Sequence, residues 1–89
     1  MSLLVVQKQS NCDTALRALK ELGGVADRDT LYHFLWDNQD RFPRHGRQWS
    51  QLKMNHELNG LINEGRIFKE KTGVNRWRYW VSELELWKD

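Results

Sequence analysis

The 89 residues contain a single cysteine, Cys12, so no internal disulfide can form and a reducing, cytoplasmic setting is expected. One proline and six glycines are too few for a low-complexity or disordered chain. No apolar run approaches the roughly 20 residues that cross a bilayer. Leu3-Leu4-Val5-Val6 is short and has no basic stretch ahead of it, so neither a membrane span nor a signal peptide is expected. Glycine-rich phosphate loops and nucleophile elbows are missing. His33, His45 and His56 fall on different expected elements. Asp27, Asp29, Asp37 and Asp40 are accounted for by helix capping and helix-end solvation. An enzyme, a metal site and a cofactor are therefore not expected, and a chain of this length makes one domain without room for an enclosed substrate cavity.

What the chain does have is aromatic weight and an uneven charge. Five Trp, two Tyr and three Phe within a hydrophobic content of 39% are ample for a core. The net charge of +2 hides two basic segments. Segment 41–56 carries Arg41, Arg44, Arg47 and Lys53 without an acid, and segment 66–81 sets Arg66, Lys69, Lys71, Arg76 and Arg78 against Glu70. Each is net +4, which leaves −6 on the remainder. Such polarity suits a protein with one surface turned to a polyanion, although basic residues also gather on plainly solvated faces.

Hydrophobic period and breakers order the elements. Asn11 or Asp13 can cap a first helix that runs to about Leu22, buries Ala15, Ala18, Leu19 and Leu22, and stops at Gly23-Gly24. Val25-Ala26 is a short strand. Asp27 caps a second helix over about 28–38 with Leu31, Phe34 and Leu35 inward, and with Tyr32 and Trp36 on a neighbouring face. Phe42-Pro43 and Gly46 lie in a long connection. A third helix follows from Ser50, with Met54, Leu58, Leu61 and Ile62 at helical spacing and Gly65 as its stop. Trp49 and Leu52 fall off that stripe and either close over the connection near Phe42, the expected role because large apolar groups are usually buried, or leave an apolar spot exposed. Segments 66–71 and 76–81 make a hairpin about Thr72-Gly73-Val74-Asn75. Its return strand has Trp77, Tyr79 and Val81 on one face and Arg76, Arg78 and Trp80 on the other, a basic-aromatic side. Ser82 and Glu85 form a capping box for a terminal helix that puts Leu84 and Trp87 on one face.

The order helix, short strand, helix, helix, hairpin resembles the winged helix-turn-helix family over about residues 13–81. So do Met54, Leu58 and Leu61 standing eleven, seven and four positions before Gly65, and Arg66-Ile67 after it. The resemblance implies an α+β fold of three helices, a β-hairpin wing and a short C-terminal helix. Residues 1–11 would be an N-terminal arm, 12–81 the winged helix domain and 82–89 the terminal helix. It departs from the minimal pattern in the long connection between the second and third helices. Asn55 and Trp77 fall where winged helices that bind left-handed DNA place an Asn and a Trp, but Asn59 stands at the position of that group's Tyr and its Pro pair is missing.

The resemblance also implies a function: a small transcription regulator of phage, plasmid or bacterial type that binds double-stranded DNA. Its third helix would enter the major groove and its wing would touch phosphates or the minor groove. The implied DNA-binding residues are Arg44, Arg47 and Gln48 ahead of the third helix, Gln51, Lys53, Asn55, His56 and Asn59 on it, and Lys71, Arg76, Trp77 and Arg78 on the wing. Amides suit adenine edges, Lys reaches guanine acceptors, and arginines beside a helix start suit phosphate. The competing reading is a protein-interaction module anchored by Trp36, Trp80 or Trp87. A homodimer through the C-terminal segment or the arm is a further expectation.

Overall fold

A computed structural model describes residues 11–44 and 48–86. The arm up to residue 10, the segment 45–47 with Arg47, and Trp87 lie outside the described residues. The order is α1 (Asn11–Glu21), β1 (Val25–Asp27), α2 (Arg28–Asp37), α3 (Gln51–Asn63), β2 (Ile67–Gly73), β3 (Arg76–Val81) and α4 (Glu83–Leu86). These four helices and one three-stranded antiparallel sheet, ordered β1-β3-β2, make a compact α+β domain compatible with a winged helix.

Asn11 and Asp13 both lie within α1. The helix buries Leu16 in addition to Ala15, Ala18 and Leu19, while Leu22 is half-buried at the end of the stripe. It stops where Gly23 takes φ 96°, and the Gly23 and Gly24 N–H groups donate back to Lys20 and Leu19. α3 stops in the same way. Gly65 takes φ 72°, its N–H donates to Ile62, and Arg66 N–H donates to Leu61 at 3.0 Å.

The first strand is short but real: Val25 pairs with Trp80, Ala26 with Tyr79 and Asp27 with Arg78. On the other side of β3, Ile67 pairs with Val81 and Phe68 with Trp80, with an irregularity between Lys71 and Gly73. The turn carries Asn75 at φ 57°, a left-handed position that Asn tolerates, and Arg28 Nη2 donates to its carbonyl at 3.2 Å. Asp27 precedes α2 in extended conformation, yet its side chain makes no capping hydrogen bond.

The core lies between the helices and the inner face of the sheet. Leu19, Leu31, Leu35, Met54, Leu58, Leu61 and Ile67 are fully buried, and Tyr79 and Val81 close it from β3. Each of the three α3 side chains contributes about 1.5–3 kcal/mol by leaving water, so α3 is held from one side only. Trp49 and Leu52 part company. Trp49 is buried and its Nε1 donates to the Phe42 carbonyl at 2.8 Å, closing the long connection, whereas Leu52 is 75% exposed. Leu52 therefore corrects the expectation that it would cover Phe42. Its position on α3 turns it away from the Met54-Leu58-Leu61 stripe. On α2, Tyr32 packs against the core while Trp36 stays 42% exposed.

The capping box of α4 is half made. Glu85 N–H donates to Ser82 Oγ at 3.4 Å, but the Glu85 carboxylate turns to Arg66 and the Ser82 N–H donates to the Arg66 carbonyl. Arg66 binds Glu85 Oε1 through Nε and Nη2 at 3.2 Å and Asp13 Oδ1 through Nη1 at 3.0 Å, with Glu64 Oε1 at 3.6 Å. The Glu85 side chain is only 5% exposed. Removing the cation from a nearly buried carboxylate is costly, so Arg66→Ala is expected to lower unfolding free energy by about 2–4 kcal/mol. Urea denaturation measures it. Adding Glu85→Gln to that variant should restore part of the loss, and a variant as stable as the parent would show that the node is unimportant.

Candidate nucleic-acid interface

α3 begins at Ser50, whose Oγ accepts the Lys53 N–H at 3.2 Å. With Met54, Leu58 and Leu61 inward, the helical period puts Leu52, His56, Asn59 and Asn63 at the centre of the opposite face, with Gln51 and Lys53 also exposed. None of these exposed side chains is acidic. Glu57, the one carboxylate within α3, is half-buried, and the Cys12 Sγ lies 3.6 Å from its carbonyl and 3.9 Å from its Oε1. Burial first, and then the Glu57 carboxylate, push the Cys12 thiol up, so it stays protonated at neutral pH and is a poor nucleophile or metal ligand.

Asn55 sits at the margin of the exposed face. It is half-buried, and its Oδ1 is buried without a donor among the described residues. Ahead of the helix, Arg44 is half-buried and its Nη1 donates to the Gln48 carbonyl at 3.2 Å, while the Gln48 side chain is exposed. Gln39 Oε1 accepts the Trp49 N–H at 3.1 Å, so the connection enters α3 along a path held by Trp49, Phe42 and Gln39.

The basic segments are less free than their sequence charge suggests. Arg41 pairs with Glu21 at 2.6 Å and lies over the Phe42 ring, which Arg17 also covers. Arg66 is enclosed by Asp13, Glu64 and Glu85. Arg78 pairs with Glu70 across β2 and β3, and Asp27 is its neighbour on β1. The outer face of the sheet therefore carries an Asp27-Arg78-Glu70 row beside an apolar row, Val25-Trp80-Phe68, and is not the basic-aromatic side that alternation on β3 alone implies. The Phe68 and Trp80 rings lie 5.8 Å apart, and Val25 and Phe68 are about half exposed.

Among the described residues, two wing lysines without an ion pair lie on its other side. Lys69 is paired with Tyr79 and Lys71 with Trp77, so both lysines share the inner face that carries the core and looks toward the helices. Lys69 Nζ stands 4.8 Å from the centre of the half-buried Trp77 ring, Lys71 is exposed, and Arg76 is exposed at the turn. Sequence reasoning missed Lys69. The period of two along β2, which separates Lys69 and Lys71 from Glu70, was the signal that could have found it.

The cleft between the start of α2 and the turn, about 180 Å³, mixes Asp27 and Asp29 with Arg28 and Arg76, so it presents no single sign to a ligand. Among the described residues no group of three or more His, Cys, Asp or Glu side chains is placed to hold a metal ion. No helix among them is long and apolar enough to cross a membrane. No protein-family model, curated protein or solved structure matches the chain.

A half-buried amide whose acceptor has no donor gives Asn55 little structural value. Asn55→Ala is expected to leave stability unchanged or raise it by up to about 1 kcal/mol, because Ala is the better helix former and the unsatisfied carbonyl goes. Thermal unfolding checks this, and a clear loss of stability would make Asn55 a packing residue.

Proposed function

We propose that the domain is a winged helix that binds double-stranded DNA as a transcription regulator, with α3 in the major groove and the inner side of the β2-β3 wing against the backbone. The observation that carries this reading is the exposed face of α3: it displays Gln51, Lys53, His56 and Asn59 without one exposed carboxylate, while the wing turns Lys69 and Lys71 to the helix side of the sheet. Amides on such a face add little to attraction for phosphate, and their value lies in pairing with base edges. Lys53, Lys69, Lys71 and Arg76 supply charge that phosphates take up, and Arg44 with Gln48 stands where the connection meets the start of α3. Arg78, engaged by Glu70 on the outer face, has a minor part.

A second reading is supported by the Val25-Trp80-Phe68 row, a partly exposed apolar strip on the face away from α3 that suits a protein partner. Both readings hold together if DNA takes the α3 side and a protein takes the outer sheet.

Duplex binding across a salt series separates them. Phosphate contact gives a steep negative slope of log K against log salt, and each lost contact flattens it by about one unit. Replacing Lys69 and Lys71 together with Ala is expected to flatten the slope by about two, and Arg78→Ala by clearly less than one. Glu70→Gln, which releases Arg78, should raise affinity at low salt. A parent protein with no measurable duplex affinity at low salt would abandon DNA in favour of the protein partner.

A further inference from the structure

Among the described residues Leu52 takes no part in the core, and it has no place in a general phosphate-binding face. It is 75% exposed, in the first turn of α3, while Trp49 and Met54 on either side of it in sequence are almost completely buried. Its neighbours one turn along the helix surface are Asn55 and His56, both polar, and Trp49 ahead of it is buried, so among the described residues the apolar spot is the size of one aliphatic side chain. A protein hot spot needs apolar neighbours that exclude water, which this position lacks among the described residues, whereas the outer sheet row has them.

We infer that Leu52 reads thymine: its methyl groups pack against the C5-methyl of a thymine in the major groove, so the preferred duplex contains an A·T pair under the first turn of α3. The inference rests on the DNA-binding reading above and deepens it. The first residues of a helix docked in the major groove are those that reach base edges. Thymine alone presents a methyl group there, and an aliphatic side chain is the complement that distinguishes it from cytosine. The contact removes apolar surface from water on both partners and needs no movement of the Met54-Leu58-Leu61 stripe that holds the helix.

The test uses the preferred duplex obtained by selection from random sequences, with each thymine replaced singly by uracil, which removes the methyl group and leaves the hydrogen-bonding edge intact. For the parent protein one replacement should weaken binding about fourfold, the effect of one buried methyl-sized group, and the others should change little. In Leu52→Ala, expected to keep its thermal midpoint because the side chain is exposed, that same uracil should cost nothing, and affinity for arbitrary DNA should match the parent's. Uracil tolerated at every position, or a penalty that persists in Leu52→Ala, overturns the thymine contact while leaving DNA binding in place. Absence of binding to any duplex overturns both.

Discussion

The Arg66 guanidinium holds Asp13 of α1 and Glu85 of α4, and its backbone closes α3 through Leu61 and receives the Ser82 N–H after β3. Four elements therefore depend on one residue at the junction between α3 and β2. Its position follows from Gly65: the left-handed residue turns the chain back on itself, so residue 66 must sit against the start of α1 and the end of β3. An arginine there satisfies carboxylates that would otherwise stand close together at the edge of the core. The same arrangement removes Arg66 from the charge that the domain can offer to a polyanion.

With that corner fixed, α3 is free to be one-sided. Its inner stripe is fully buried and its outer face touches nothing among the described residues, so the polar side chains there are released from any packing duty. Entry to the helix is equally defined, because Trp49 is both buried and hydrogen-bonded to the Phe42 carbonyl, which anchors a connection that contains proline and several polar residues. A rigid helix presented by a packed back and a pinned entry is suited to holding side chains at set positions against a ligand surface.

The sheet divides two kinds of surface. On its inner side the wing continues the core outward into Trp77, Lys69 and Lys71, and on its outer side ion pairing neutralises Arg78 and leaves Val25, Trp80 and Phe68 in a row. The two sides are separated by the thickness of one sheet and face opposite ways. The lysines of the inner side and the apolar row of the outer side therefore do not overlap.

Local signals along the chain carry the elements and most of the core. Helical spacing at Met54, Leu58 and Leu61, glycines at 23, 24 and 65, and alternation over residues 76–81 are local signals, because each reports a backbone period or a left-handed turn that neighbouring residues decide. The exposed polar positions of α3 were legible for the same reason: once the buried stripe is known, the opposite face follows from geometry. Leu52 misled because hydrophobicity alone does not say which apolar residue finds a partner. Only tertiary structure decided that Trp49 would reach the Phe42 carbonyl and Leu52 would not. It also decided the charge that each basic segment can offer. Net charge counted along the chain treats Arg41, Arg66 and Arg78 like Lys53 and Lys71, yet Glu21, Asp13, Glu85 and Glu70 come to the first three from elements distant in sequence or across the hairpin. Coulomb attraction falls with distance in space, not with separation along the chain, so which cations remain free is settled only when the strands pair and the helices pack.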